Sequence, residues 1–330
     1  MSPILVMIVK TLLIYGGVIT LAAGMTLAER KVSAWIQWRI GPNRVGPWGL
    51  LQPLANGVKF IFKEELMPAG PNPLLFRLAP VLAAAPAMMA IAVIPFAGEI
   101  TLFGVRTTLS IADIPISALY VVAVSGLGIY GVILGGWSSN SKYSLLGGLR
   151  ASAQMVSYEL ALILALLTVV VLTGSLDLRA IVAAQAGGIQ EWNLWRQPLA
   201  FLLFVVATFA ETNRHPFDFA ECEPELVGGF HTEYSSMKFA LFFIGEYVAM
   251  IVMASMTTTL FLGGPEVPFW PGAPWFLQLG AFLLKTGFFL FLFLWVRWTL
   301  PRFRFDQLMH LGWKVFLPLA LANLFVTGLA

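Results

Sequence analysis

Long apolar runs are the feature that most constrains the fold of this chain. A membrane-spanning helix needs about 20 mostly apolar residues, and the sequence holds roughly eight runs near that length. Of its 330 residues, 58% are hydrophobic and only 11% are charged. This composition predicts an all-α polytopic membrane protein that forms a single transmembrane domain over residues 1–330. The predicted spans are residues 3–27, 74–97, 115–137, 150–173, 199–211, 237–262, 275–297 and 310–329.

Several classes of protein are disfavoured by what the sequence lacks. No basic segment precedes the first apolar run, so we expect that run to be a retained helix and not a cleaved signal peptide. The single cysteine, Cys222, excludes an internal disulfide, and one cysteine with three histidines does not suit an iron–sulfur or zinc site. Gly126, Gly128 and Gly131 match a nucleotide-binding GxGxxG pattern, but they lie inside an apolar span with no preceding strand. We therefore expect helix packing there, and no NADH site, metal site or redox cofactor on this chain.

Basic residues are distributed unevenly between the two sides of the predicted bundle. Lysine and arginine are enriched in cytoplasmic loops. The loops after the even-numbered spans contain only Arg106, Arg179 and Arg196, which predicts that this side and both chain termini are periplasmic. A short hairpin at 98–109 and a surface segment at 175–197 are expected there. The side predicted to be cytoplasmic holds Arg30, Lys31, Arg39, Arg44, Lys59, Lys63, Arg77, Lys142, Arg150, Arg214, Lys238, Arg297, Arg302, Arg304 and Lys314.

The cytoplasmic loop predicted at 28–73 contains an amphipathic helix. Gln52, Asn56, Lys59 and Lys63 recur at helical spacing in one narrow stripe, and apolar residues occupy the opposite side. Such a helix either lies in the membrane interface or covers a cavity between the spans. The spacing alone does not decide between these two interpretations.

An acidic segment interrupts the apolar sequence between the fifth and sixth spans. Six of the chain's 17 acidic residues lie between Glu211 and Glu233, and Arg214 is the only fixed cation there. This segment forms most of the cytoplasmic loop predicted at 211–236. Carboxylates next to membrane spans line water-filled cavities, pair with cations of a partner protein or take up protons. An ordinary solvated loop would explain Glu233 but not Glu211, which ends an apolar run.

Charged residues also occur within the predicted spans. Glu159, Glu211 and Glu246 lie on three successive spans, and a carboxylate at the membrane centre costs about 2.5–3.5 kcal/mol or more. Burial and mutual repulsion raise carboxyl pKa values, so these groups suit a proton relay. The alternative is a set of structural ion pairs, for example with Lys285.

Three stretches resemble the quinone-site membrane proteins of respiratory complex I, a family that includes the bacterial H subunit and mitochondrial NADH dehydrogenase subunit 1. They are AERKVSAWIQWRIGPNRVGPWGLLQPLANGVKFIFKE (28–64), ETNRHPFDFAECEPELVGGFHTEYSSMKFALFF (211–243) and PRFRFDQLMHLGWKVFLPL (301–319). The segment 136–159 also fits, so the resemblance covers nearly the whole chain. It departs from the family at two positions, where Asn56 replaces a usual aspartate and Ala220 a usual proline. Because an asparagine does not titrate, the resemblance does not imply a proton carrier at position 56.

The resemblance implies a role in quinone reduction. In the family, this subunit encloses most of the chamber for ubiquinone or menaquinone and joins the peripheral arm to the membrane arm. NADH oxidation, FMN and the iron–sulfur clusters belong to partner subunits, and antiporter-like subunits lie further along the bacterial inner membrane. The implied chamber residues are Arg30, Trp35, Arg39, Gln52, Asn56, Lys59, Phe217 and Phe219. The implied proton-relay residues are Glu159, Glu211, Asp218, Glu221, Glu223, Glu225 and Glu246.

Two other functions are compatible with a helical membrane protein. Membrane-bound hydrogenases use a similar anchor protein without conventional quinone reduction, although both long motifs favour the quinone enzyme. A free-standing secondary transporter would show an internal repeat and a midplane site in broken helices. The two halves of this sequence show no such repeat.

The predicted orientation determines the outcome of cysteine labelling. In a Cys222→Ser background, single cysteines replace Glu266 and Lys142, which the topology puts on opposite sides of the membrane. An impermeant thiol reagent applied from the periplasmic side should label position 266 and leave position 142 unlabelled. The reverse pattern would invert the topology.

Overall fold

The computed structural model describes residues 3–68, 70, 72–102, 104–221, 223–270 and 272–329, and the side chains of residues 3, 102, 223 and 224 are outside this description. Cys222 and the carboxyl group of Glu223, both singled out from the sequence, therefore lie outside the described part of the chain. The helices are α1 (Pro3–Ile36), α2 (Gln52–Phe62), α3 (Pro73–Ala90), α4 (Ser117–Ser138), α5 (Lys142–Thr173), α6 (Leu178–Ala183), α7 (Asn193–Arg196), α8 (Pro198–Glu211), α9 (Glu223–Leu226), α10 (Ser236–Phe261), α11 (Trp275–Thr299), α12 (Phe305–His310) and α13 (Leu317–Leu329).

The all-α membrane class is confirmed. Within the described ranges, seven helical segments are long and apolar enough to cross a membrane, judged by length and composition. The last segment combines α12 and α13 through a π-helical stretch, Leu311–Phe316. The seven segments are Ile4–Ile36, Pro73–Val93, Ser117–Ser138, Lys142–Thr173, Ser236–Phe261, Trp275–Thr299 and Phe305–Leu329.

Several predicted helix boundaries were wrong. α1 continues past residue 27 to Ile36, so the first part of the predicted loop 28–73 is helical, and α5 begins at Lys142 instead of residue 150. The predicted runs stopped at charged residues, whereas a helix continues wherever its backbone hydrogen bonds and side chains find suitable surroundings. As a consequence, Glu29 lies on a continuous helix and not in a loop.

α8 corresponds to the predicted fifth span but is short. Its 14 residues give a length of about 21 Å, less than the roughly 30 Å of a bilayer core. The helix ends at Glu211, where the Thr212 hydroxyl donates to the Thr208 carbonyl at 2.8 Å. This confirms the expected end of the helix at the acidic segment and places Glu211 in its last turn.

α10 lies at the centre of the bundle. It packs against α1, α3, α8 and α11, and every residue from 250 to 261 is buried. Glu246 lies one turn before this buried stretch, so protein and not lipid surrounds its carboxyl group.

The glycines of α4 serve helix packing, as the sequence predicted. A Cβ atom at Gly131 would lie 2.7 Å from the Cα atom of Ala83 on α3, which is closer than real side chains approach. At Gly135, a Cβ atom would lie 3.2 Å from the Phe242 ring of α10. Close contact between helices therefore explains Gly131 of the GxGxxG pattern, whereas Gly126 faces the Glu159 side chain and Gly128 has only the Ala83 carbonyl oxygen at 3.9 Å.

The predicted hairpin is also confirmed. β1 (Glu99–Leu102) and β2 (Val105–Thr108) pair antiparallel. The Lys10 ammonium of α1 donates to the Thr107 hydroxyl at 3.2 Å and thereby ties the hairpin to the first helix. The surface segment predicted at 175–197 contains α6 and α7.

Candidate proton-relay site

A cavity with a volume of about 90 Å³ lies between α3, α4, α5, α10 and the acidic segment. One water molecule needs roughly 10–15 Å³ by this measure, so the cavity has room for several. One wall is apolar and includes Ala83, Pro86 and Ala87 of α3. The polar wall consists of Glu211, Thr212, Asn213, Glu221, His231 and Glu246.

Glu211 reaches this cavity from the end of α8. Its side chain is only 6% exposed, and its Oε2 atom has no hydrogen-bond partner among the described residues. The Gln154 amide of α5 donates to the Ala210 carbonyl at 2.8 Å and to Asn213 Oδ1 at 3.2 Å, which fixes the turn that follows the helix. An ionised carboxylate in such a place is costly without a partner. The charge of this carboxyl group therefore depends on which water or ionisable group in the cavity pairs with it.

Arg214 is the cation that two other buried carboxylates share. Its Nε atom lies 2.6 Å from Glu246 Oε1, and its Nη1 atom lies 3.3 Å from each Glu29 oxygen. Tyr247 donates to Glu29 Oε2 at 2.6 Å, and Arg297 forms a second ion pair with Glu29. Burial alone would lower the pKa of Arg214, but the charges of Glu246 and Glu29 raise it overall. Arg214 therefore stays cationic and joins α1, α10 and the acidic segment.

Lys285 does not pair with an intramembrane glutamate, so that sequence-based example of an ion pair was wrong. Its ammonium donates to the carbonyls of Leu262 at 2.7 Å, Gly264 at 2.9 Å and Glu266 at 2.7 Å. These carbonyls follow the end of α10, where a cation is favourable. The cations that do contact the buried carboxylates are arginines, Arg214 and Arg297, which the sequence analysis assigned to loops.

Two carboxyl groups of the acidic segment have pKa values shifted in opposite directions. Burial and the charge of Glu221 raise the pKa of Asp218 to about 6, although Arg302 donates to its Oδ2 atom at 3.0 Å. Burial also pushes the pKa of Glu221 upwards, but the hydrogen bond and charge of His231 outweigh it and lower that pKa. The His231 Nε2 atom lies 3.1 Å from Glu221 Oε1.

The structure brings only some of the predicted relay residues together. Glu211, Glu221 and Glu246 share the cavity. Glu159 is half-buried on α5, with its Oε1 atom next to Gly126 of α4, and it is not among the residues that line the cavity. Glu225 is exposed and pairs with Arg150 at 2.5 Å, whereas Asp218 binds Arg302.

The amphipathic helix α2 turns part of its polar stripe towards the bundle, namely Gln52 and Asn56, whereas Lys59 and Lys63 are exposed. It packs against α1 and α10, and Gln52 and Asn56 are half-buried, with Gln52 Nε2 donating to Asn56 Oδ1 at 3.4 Å. Leu54 and Phe62 on the apolar face are 67% and 85% exposed. Ser236 of α10 donates to the carbonyls of residues 60 and 63 and so fixes the end of the helix. α2 contributes no residue to the lining of the described cavity.

The remaining chamber candidates fall into two groups. Arg30, Trp35 and Arg39 are exposed, and so is Lys59 of α2. Phe217 and Phe219 are buried instead: their rings lie 5.6 Å from Phe303 and 5.8 Å from Phe305, respectively. Ala220, one of the two departures from the family motif, is fully buried and lines the cavity.

Sequence reasoning missed four side chains of the site. Glu29, Tyr247 and Arg297 surround Arg214, and His231 binds Glu221. A signal for Glu29 was present, since helical spacing continues through the AERK segment, but its charge suggested a loop. The pairing of Arg297 with α1 depends on tertiary contact and has no local signal.

The fold and the site define a polytopic helical membrane protein with an acid-lined internal cavity and a separate amphipathic helix packed against the bundle. The NADH dehydrogenase family model matches residues 9–328. An H subunit of NADH-quinone oxidoreductase from Geobacter metallireducens is 54% identical over 319 residues, with 97% of this chain and 94% of the relative covered. The corresponding H subunit from Flavobacterium johnsoniae is 45% identical over 331 residues, with 97% and 93% covered. The chain belongs to the NADH dehydrogenase family.

Replacing Arg214 with methionine should severely destabilise the protein. The change strands Glu246 in a buried position and leaves Glu29 with only Arg297 and Tyr247 as partners. Loss of one partner of a buried pair costs about 3–5 kcal/mol. The matched control is Arg150→Met, because its pair with Glu225 is exposed and such pairs contribute about 0–1 kcal/mol. Membrane abundance and the thermal midpoint of the purified complex should fall only for Arg214→Met. Equal losses in both variants would contradict the shared-cation role.

Proposed function

We propose that this chain is the membrane subunit of a proton-translocating NADH:quinone oxidoreductase that borders the quinone chamber. The observation that carries the proposal is a cavity lined by Glu211, Glu221 and Glu246 in a chain that belongs to this family over residues 9–328. Adding electrons and protons to a quinone changes charge in a low-dielectric region. Buried carboxyl groups next to such a reaction respond by changing their protonation.

The quinone chamber is proposed to lie beside α1 and the polar stripe of α2. Arg30, Trp35, Arg39 and Lys59 are exposed on this side of the chain, and Gln52 and Asn56 face the bundle. Phe217 and Phe219 are then proposed to pack behind the chamber wall, because their buried rings contact Phe303 and Phe305 around the start of α12. A quinone headgroup suits this mixed lining, which offers hydrogen-bond donors beside apolar surface.

The proton relay is proposed to run from the acidic segment into the bundle through Glu211. Its carboxyl group belongs to both the end of α8 and the cavity. Glu221 and Glu246 continue the path within the cavity, and Glu159 follows at the interface with α4. Asp218 and Glu225 are proposed to stand at its cytoplasmic approach, where both bind arginines, whereas the Glu223 side chain lies outside the described part of the chain.

The proposed setting is a bacterial cytoplasmic membrane, with eight spans that include α8 and with both termini in the periplasm. The uneven distribution of basic residues supports this orientation. The partners are the other subunits of the complex, which supply FMN, the iron–sulfur clusters and the antiporter-like part. Ubiquinone or menaquinone is the substrate.

Replacing Lys59 with leucine tests the chamber. The change removes a cation from the α2 stripe, so NADH:quinone activity in membranes should fall while NADH oxidation by a hydrophilic artificial acceptor stays normal. Arg106→Leu is the control, since this exposed residue lies on the opposite side of the bundle. Unchanged quinone kinetics in Lys59→Leu would reduce α2 to an interfacial anchor.

Replacing Glu211 with glutamine tests the relay. Glutamine is nearly isosteric and keeps hydrogen bonding but does not titrate. The complex should assemble, with quinone turnover and coupled proton translocation reduced by about 10²-fold, the lower range for loss of a proton-transfer group. Glu191→Gln, an exposed residue paired with Arg196, serves as the control. Normal turnover at normal yield would remove Glu211 from the relay.

A further inference from the structure

His231 is the one titratable base in the described lining of the cavity, and the functional assignments above leave it unused. It ends a short 3₁₀ turn, Gly229–His231, immediately before α10. Its ring is enclosed by the rings of Phe230, Phe239 and Phe243, with centroids 5.0, 5.3 and 5.6 Å away. This enclosure leaves the Nε2 edge directed at Glu221, 3.1 Å away.

The imidazole and its carboxylate partner belong to the same cavity as two further carboxyl groups. Glu211 and Glu246 also line it, and the Glu211 Oε2 atom is buried with no hydrogen-bond partner among the described residues. The nearest fixed cation, Arg214, already binds Glu246 and Glu29. An imidazolium at position 231 is therefore the positive charge in direct contact with Glu221, and Arg214 and Arg297 act on this carboxylate from further away.

The remaining charges near His231 are engaged elsewhere or lie outside the cavity lining. Lys238, on the first turns of α10, forms an ion pair with Glu65. Glu233 is half-buried and does not line the cavity. The groups that face the imidazole are thus Glu221 in direct contact and Glu211 and Glu246 through the cavity.

We propose that His231 holds a proton for the quinone reaction and delivers it through Glu221. This inference rests on the function proposed above. In the transfer step, the Nε2–H bond of the imidazolium breaks and an O–H bond forms at Glu221 Oε1. Glu221 then releases this proton towards the quinone, and the neutral imidazole binds a new proton that enters through the cavity from the bulk, so the pair returns to its starting state. Histidine suits this task because its ring nitrogens can both donate and accept a proton.

A fixed structural contact is the competing explanation, and turnover at the pH optimum separates the two, because it falls only if His231 itself carries the proton. Burial raises the pKa of Glu221, but the hydrogen bond and charge of His231, with smaller contributions from Arg214 and Arg297, hold it below its usual value. When the imidazole is replaced by a neutral group, the pKa of Glu221 rises, so Glu221 becomes protonated at a higher pH. If turnover passes through Glu221, its decline on the acid side must then begin at a higher pH.

The experiment compares His231→Gln with His310→Gln in the assembled complex. Glutamine places an amide near the position of Nε2 and keeps a hydrogen bond to Glu221 without titrating, whereas His310 is exposed on α12. We expect His231→Gln to assemble, to lose about tenfold or more in NADH:quinone turnover, and to lose activity at a higher pH on the acid side. NADH oxidation by a hydrophilic acceptor should be unchanged, and His310→Gln should match the parent throughout.

Normal yield with a parental rate at the pH optimum in His231→Gln would overturn the inference, whatever its acid-side profile. If that variant fails to assemble, His231→Asn, which is also neutral and does not titrate, decides instead: the same loss of turnover is expected, and a parental rate would overturn the inference. The function itself is judged on the parent complex. If the parent complex reduces quinone and the variants behave like the parent, only the role of His231 is rejected. If the parent complex does not reduce quinone, the proposed function itself is rejected.

Discussion

Arg214 joins the parts of this protein that carry its chemistry. It lies buried between Glu29 on α1 and Glu246 on α10, although it belongs to the acidic segment. Buried ion pairs are poor stabilisers relative to apolar packing, because desolvation offsets most of the attraction. Once the two carboxylates are buried, however, the arginine is indispensable. The contacts of Arg214 with Glu29 and Glu246 therefore determine the position of the acidic segment on the bundle, in addition to any contribution to stability.

The position of the segment explains why its carboxyl groups are not equivalent. Glu246 has a permanent cation, Glu221 has an imidazole, and the Glu211 Oε2 atom has no partner among the described residues. All three reach one cavity, where the low dielectric strengthens any new charge. A charge added at a neighbouring chamber thus acts most strongly on the group with the weakest compensation, which is Glu211. Asp218, with a pKa raised to about 6, lies close to neutrality in the same segment.

The sequence predicted the membrane class, the hairpin, the close packing of α4 and the end of α8, because each depends on local patterns of hydropathy, turn residues or glycine spacing. It misplaced the end of α1, since apolar runs stop at charged residues and helices do not. That error concealed Glu29, whose partners Arg214, Tyr247 and Arg297 come from distant parts of the chain. The sequence also grouped Glu225 and Asp218 with the cavity acids, whereas tertiary packing pairs each with an arginine. Local composition identifies acidic residues, but only the fold decides which of them share a cavity.

Infrared difference spectroscopy of the complex tests most directly whether the cavity carboxyls respond to quinone chemistry. Spectra recorded before and after quinone reduction, with carbon-13-labelled glutamate, report the C=O stretch of protonated glutamic acid side chains. If Glu211 changes protonation during quinone reduction, a labelled carboxyl signal should appear in the parent complex. It should be absent from Glu211→Gln and retained in Glu191→Gln. Difference spectra that are identical in the parent and in Glu211→Gln would contradict it.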